Sequence, residues 1–383
     1  MTCVSLNAQQ SSANELTNSD VSHKSAAKNC PPTKPARSSV QCTPTCVYPG
    51  TPEEIVQCVP AAYNAPSGVD LAGRGDSYAE GSFIYWQPIE EGLELGFPFP
   101  NGVGAASLPR LTGNNTVQMN FDWKPGFKIE LGTDAGKDNW SAAARYTWFH
   151  FTQSKDFVTP NLPVGRFSPY WFNNEISGAG VQIGPFLVDA DWKLKLDMID
   201  VELSRAGFMG KSFTFAPFWG LRGLRLDQQY TMLLLSTVTL PPQAFSKYNI
   251  DSWAVGARTG FNSSWQIGGG FELLANTALN ALYSNYKLRR FETQAANPTQ
   301  TIVYRENNRP AIRPIMEILL GVNWGTYLMK NRIHMNLSAN YEFNIWWNQN
   351  MFHALNGGNI GAVDTPDCDL FFHGLTVSTR FDF

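Results

Sequence analysis

Cysteines, histidines and charged residues are the side chains here with chemistry to offer, and their spacing decides which chemistry it is. Cys3, Cys30, Cys42, Cys46 and Cys58 fall in the first 60 residues, and Cys368 stands alone near the end. Cys30, Cys42, Cys46 and Cys58 are spaced C-x11-C-x3-C-x11-C. Four thiolates could hold zinc, but structural zinc sites favour two close pairs, and only Cys42 and Cys46 are close. In an oxidising compartment disulfides are the default for such a set. Cys30, Cys42, Cys46, Cys58 and Cys368 are therefore read as disulfide candidates, with a connectivity that spacing does not reveal. Cys368 has no near partner in sequence, which makes it the candidate for a bond to another protein. His23, His150, His334, His353 and His373 are scattered and form no H-E-x-x-H or H-x-x-x-H pair. There is no G-x-S-x-G elbow and no phosphate-binding glycine loop. The sequence thus predicts no catalytic residue, cofactor or metal site.

The charges point the same way. Lys and Arg total 29 and Asp and Glu 32, a net charge of -3, so nothing suggests nucleic acid as a partner. Only 16% of residues are charged, against roughly 25% in an ordinary soluble domain. The chain carries instead 12 Trp, 25 Phe and 13 Tyr. Mean hydropathy is -0.23, and no apolar run approaches the ~18 residues of a membrane helix.

What positions these side chains is a set of long alternating segments. In 332–347, Ile333, Met335, Leu337, Ala339, Tyr341, Phe343, Ile345 and Trp347 share one parity, and polar residues such as Asn336, Asn340 and Glu342 the other. Successive strand side chains point to opposite faces, so this strand is apolar on one side and polar on the other. It is also longer than the ~5–6 residues of a globular strand. The same alternation recurs in 117–131, 139–149, 191–198 and 315–324, and further strands read at 77–87, 212–224, 250–265, 271–290 and 370–383. Connections alternate in length. Short ones fall near 132–138, 205–211, 266–270 and 325–331, and long ones near 88–116, 152–190, 225–249, 291–310 and 348–369. Short turns on one side and long loops on the other are the habit of transmembrane barrels. A soluble two-sheet sandwich or large binding barrel predicts an apolar face packed against protein and strands of ~5–6 residues; the long strands and the Trp near strand ends, such as Trp140, Trp148, Trp265, Trp324 and Trp347, disfavour it. The fold class predicted is all-β, a transmembrane antiparallel β-barrel of about 10–14 strands, built from residues 77–383. Residues 1–76, rich in Cys and Pro and without Trp or Phe, read as an irregular N-terminal segment. That segment lacks a basic region and an apolar core for a signal peptide; Val4–Ala8 reads as the tail of one.

In a membrane barrel the apolar faces meet outer-membrane lipid and the polar faces line the lumen. On that rule Lys124, Lys128, Arg145, Lys193, Lys195, Arg222, Arg258, Glu317, Arg332, Glu342 and Arg380 are pore-lining. Rings of one sign would select ions strongly. This mixed wall predicts a porin that passes small hydrophilic solutes with weak charge selectivity. The competing reading is a structural or adhesive surface barrel with a filled lumen.

The stretch Phe121 to Gly132, then Trp140 and Arg145 to His150, resembles the Legionella-type major outer membrane protein family. So do Trp192 to Leu203, Pro217 to Arg222, and Gly256 to Gly260 with Trp265. The resemblance covers about 77–383 and implies an outer-membrane barrel with a pore role. The cysteine-bearing N-terminal segment looks more like the major outer membrane porin-like proteins of chlamydia-related bacteria, which implies disulfide-linked envelope proteins as partners. Resemblance to outer-membrane barrels in general implies that the C-terminal strand, ending at Phe383, is read by the barrel-assembly machinery.

Overall fold

The computed structural model describes residues 71, 77–99, 116–134, 139–158, 166–172, 182–183, 186–209, 212–236, 244–294, 301–352 and 368–383. In chain order the strands are β1 (Ser77–Glu90), β2 (Glu94–Phe99), β3 (Val117–Gln118), β4 (Lys124–Asp134), β5 (Trp140–Val158), β6 (Arg166–Pro169), β7 (Gln182–Ile183) and β8 (Phe186–Arg205). They continue with β9 (Gly207–Met209), β10 (Phe213–Ser236), β11 (Ala244–Gly268), β12 (Phe271–Gln294), β13 (Thr301–Leu328), β14 (Ile333–Asn350) and β15 (Cys368–Asp382). β1, β4, β5, β8 and β10 to β15 form one sheet that closes on itself, with β10 paired to β11 and β15 returning to β1. All these pairings are antiparallel; Ser82 of β1 lies opposite Ser378 of β15 on one side and Lys128 of β4 on the other. A ten-strand closed barrel is the lower end of the strand number expected from sequence. Barrels of ~8 strands are filled by their own side chains, and those of ~16–18 leave a channel.

One end of the barrel carries tight turns. Gly269 and Gly270 have φ of 64° and 84° and close β11 onto β12, within the short connection expected near 266–270. The first and last strands meet at this end too, where the Phe383 amide donates to the Ser77 carbonyl at 3.0 Å. The opposite end carries the long loops. Short strands from two of them, the β1–β4 and β5–β8 connections, form a second sheet in the order β3-β2-β6-β7.

The strands differ from expectation in length. Segments 225–249 and 291–310, read as long loops, are mostly strand. β10 to β13 run to 24, 25, 24 and 28 residues, where a membrane crossing needs ~9–11. The reason shows in the burial pattern. Ile199, Val201 and Leu203 of β8 are exposed, with Asp200 and Glu202 buried inside. Further along the same strand Trp192, Leu194, Leu196 and Met198 are buried, and Lys193 and Lys195 are exposed. The register is unbroken, so the faces have not moved; the apolar parity has switched between Met198 and Ile199. β10 switches likewise, from exposed Trp219 and Leu221 to buried Leu224, Leu226, Met232 and Leu234. Below the switch the barrel is apolar outside and polar inside, as lipid requires. Above it the barrel is polar outside and apolar inside, as water requires.

Aromatic girdles mark both limits of the apolar band. Trp140, Trp219, Trp265, Phe271 and Trp324 lie on outward parities near the tight turns, with Trp140 and Trp219 rings 6.5 Å apart. Tyr85, Trp123, Trp148, Trp253 and Tyr283 do so at the other limit.

Candidate functional site: the barrel lumen

Eight of the predicted lumen residues sit on inward-facing positions and are brought together by cross-strand register. On β4, Lys124 lies opposite Trp86, and Lys128 and Glu130 follow on the same face. Lys128 reaches Glu342 of β14 at 2.7 Å and places its ammonium over the Trp86 ring at 4.7 Å. Arg145 of β5 holds Glu130 at 2.5 Å and Glu202 of β8 at 3.4 Å. Arg222 of β10 makes a two-pronged pair with Asp200, at 2.6 and 2.7 Å, and also holds Glu317 of β13. Arg258 of β11 lies 3.1 Å from Glu202 and 3.0 Å from Glu317. Neither β10 and β13 nor β4 and β14 are neighbours in the sheet. The Arg222–Glu317 and Lys128–Glu342 pairs therefore cross the lumen and tie wall to wall. Nearer the tight turns, Arg380 holds Asp382 at 2.6 Å, covers the Tyr78 ring at 3.5 Å, and shares Asp382 with His334 at 3.0 Å.

Arg222, only 1% exposed, shows what this arrangement costs and gains. Removing a guanidinium from water is expensive, and only partners with matched geometry offset it. Bidentate Asp200 plus Glu317 provide that match. Thr147 and Asn344 face the same interior space, and the Thr147 hydroxyl and the Asn344 amide nitrogen have no hydrogen-bond partner among the described residues.

Three predicted lumen residues are placed elsewhere. Lys193 and Lys195 point outward from β8, with Asp197 beside them on the same face. The sequence assigns that strand its faces from the apolar side of 191–198, which is the inward side above the parity switch. Arg332 is exposed in the turn between β13 and β14. It precedes the strand and has no face to share.

Toward the long-loop end the lumen is packed, which the alternation did not foretell. Trp86, Phe149 and Phe372 cluster at 5.5 to 6.0 Å between ring centres, with Trp346 5.6 Å from Phe372. Above them Trp171, from the connection between β5 and β8, packs on Tyr230 at 4.6 Å and Tyr248 at 5.2 Å. Its indole donates to the Glu94 carbonyl at 2.6 Å, and Tyr248 donates to the Trp171 carbonyl at 2.7 Å. Phe352, from the connection between β14 and β15, completes the group 6.1 Å from Trp171. Gln228 of β10 donates to buried Glu90 of β1 at 3.1 Å across the mouth. The signal for this packing lay in the sequence as the parity switch.

Cys368 is buried at the start of β15; the other cysteines, and so the N-terminal disulfide candidates, lie outside the described residues. Among the described residues no group of His, Cys, Asp and Glu could hold a metal ion.

A closed, even-stranded antiparallel barrel with an apolar outer band, two girdles and tight turns at one end is a transmembrane barrel of the outer-membrane class. Residues 78–383 match the family described as the Legionella pneumophila major outer membrane protein precursor. The chain belongs to that family, and its place is the cell outer membrane. Among solved structures it is similar to the outer membrane protease OmpT of Escherichia coli, at 11% identity and TM-score 0.42, over 80% of this chain and 96% of that one. It is also similar to a major outer membrane protein of Thermus thermophilus, at 9% identity and TM-score 0.30, over 80% of this chain and 99% of the other. No curated protein matches the chain.

Proposed function

We propose that this protein is a narrow outer-membrane channel for small hydrophilic solutes, with weak charge selectivity and no enzymatic activity, in a closed conformation. The charge belt across the lumen carries this reading. A barrel that only had to be sturdy would gain little from it, since buried ion pairs seldom stabilise more than apolar side chains of the same volume. Lys128, Arg145, Arg222 and Arg258 face Glu130, Asp200, Glu202, Glu317 and Glu342 in near balance, which argues against strong selection by sign. Passage requires the cross-lumen ties to part and the aromatic packing above them to shift.

Planar-bilayer recording tests this. The wild-type protein is expected to give small, discrete and infrequent openings. Glu317→Gln combined with Glu342→Gln, which cuts both ties and removes two acids from the wall, is expected to open more often and to favour anions. Silence from both folded proteins would overturn the channel reading.

The packed long-loop end favours a second reading, a structural or adhesive surface barrel cross-linked by disulfides. We infer that Cys368 is held in a disulfide within the chain and not, as its isolation in sequence suggested, in a bond to another protein; its burial and the lack of any free thiol among the described residues support this. Residues 1–76 then serve as an irregular, cysteine-bearing segment. Alkylation with mass mapping that found Cys368 unblocked in native envelopes would remove this reading.

A further inference from the structure

We infer that the outward surface of β8 and β10 to β13, just beyond the upper girdle, binds the phosphorylated headgroups of outer-leaflet glycolipid. Four observations meet there. The first is position. On β12 the outward residues run Tyr283, Asn285, Lys287 and Arg289, so the cations begin about 14 Å of strand beyond the girdle. On β10 the step is from Leu221 to Arg225, and on β8 from Ile199 to Lys195 and Lys193. This end carries the long loops and is therefore the external one.

The second is exposure without partners. Lys193, Lys195, Lys287 and Arg305 are exposed and have no ion pair among the described residues. Farther along the same face of β8, Asp191 accepts from Ser154 at 2.5 Å and, with Asp189 and Asp156, bounds the patch with acids; the acids within the patch are already engaged. Asp197 accepts from Tyr146 at 2.6 Å and lies 3.0 Å from His150; Asp227 lies 3.0 Å from Arg225; Asp251 lies 3.5 Å from Arg289.

The third is a row of one sign. Register aligns Lys193 with Gln229, Gln229 with Asn249, Asn249 with Arg289 and Arg289 with Arg305. That row crosses five strands with three cations, two amides and no acid. Arg289 and Arg305 sit directly opposite each other on one face, an arrangement that is destabilising by itself. An anion from outside resolves it. Phosphate suits guanidinium bidentately and lysine as a point charge, and Gln229 and Asn249 offer amides to sugar hydroxyls.

The fourth is asymmetry. At the same limit β1, the residue before β4, and β14 and β15 present Gln87, Trp123, Tyr341 and His373 outward, and no Lys or Arg. Ordinary interfacial anchoring would ring the barrel; a cation face on one flank points to a bound molecule there.

The test uses the full-length protein in phosphatidylcholine vesicles doped with bisphosphorylated lipid A, monophosphorylated lipid A, or the fully dephosphorylated lipid. Binding is read by native mass spectrometry after gentle release. Wild-type protein is expected to retain bisphosphorylated lipid A most strongly and the dephosphorylated form least. Lys193→Gln with Lys287→Gln and Arg289→Gln is expected to bind roughly a hundredfold more weakly. Lys330→Gln with Arg332→Gln, in the turn at the other end, is expected to change nothing. Retention by wild type should also fall steeply with added salt. Equal retention of the three lipids, equal loss in the turn variant, or salt-independent binding would each overturn the inference. So would displacement by millimolar inorganic phosphate, which would mark a free-anion site and not a headgroup site.

Discussion

Leu319 and Leu320 are adjacent leucines in different solvents. Leu320 points outward from β13 and is 52% exposed, while Leu319 faces the lumen opposite Glu342. Leu320→Arg places a charge in lipid and is expected to cost about 2–4 kcal/mol at mid-depth. Leu319→Arg gains an acid for a neighbour and is expected to cost little. Urea unfolding from lipid vesicles measures both, and equal losses would contradict the assignment of faces. At Arg222 the expectation reverses, because the partners stay behind. Arg222→Ala strips Asp200 of its two-pronged partner and leaves both buried acids, Asp200 and Glu317, to share Arg258, 3.7 and 3.0 Å away, and a loss of about 3–5 kcal/mol is expected in the same assay. At this scale the sequence was legible wherever a charged residue stood in the apolar band. It was not legible for Lys193 and Lys195, since alternation identifies two faces and does not say which one meets solvent.

Among the elements, the strands were found by their period and mislaid by their length. The period marked every barrel strand, but the stretches at 225–249 and 291–310 looked like loops because their outward faces are largely polar, with residues such as Asp227, Gln229, Lys247 and Arg305 there. The switch of apolar parity was the missed clue, and it carries a rule usable on other chains. An unbroken strand whose apolar parity changes once has passed out of lipid without leaving the barrel. Two predictions belong here. A Cβ on Gly256 of β11 would stand 2.0 Å from the Ala281 carbonyl oxygen, so the neighbouring backbone has to move. Gly256→Ala is expected to cost about 1–3 kcal/mol by overpacking, seen as a lower thermal midpoint of the folded band on electrophoresis. β15 seals the barrel against β1 with Leu375, Phe381 and Phe383 exposed on the outer face. Deleting Phe381 to Phe383 is expected to lower assembled protein in the outer membrane sharply with synthesis unchanged. Unaltered surface levels would show that the last strand is not needed for assembly.

Across the whole molecule, the barrel class, the closure of last strand on first and the polarity of the two ends could all be reasoned from residue order. These features depend on local alternation and loop length, which a sequence displays directly. For the packed interior the parity switch shows only that apolar side chains turn inward; which of them meet depends on which strands face each other across the lumen, and on where Trp171 and Phe352 come to rest. The described barrel has lipid-like exterior chemistry at one level and soluble-protein chemistry at the next.

That division sorts the tryptophans into two optical classes. Trp86, Trp171, Trp192 and Trp346 are at most 3% exposed and point into the barrel. Trp123, Trp219, Trp253 and Trp265 point away from it. Bromine-labelled acyl chains quench indoles they can touch, so in such a bilayer the outward group should go dark and the inward group should keep emitting. The surviving emission should be insensitive to iodide in the water as well, since neither lipid nor solvent reaches those rings. It should appear only when the upper barrel packs, and so give that step its own colour, separable from insertion, in a single refolding trace.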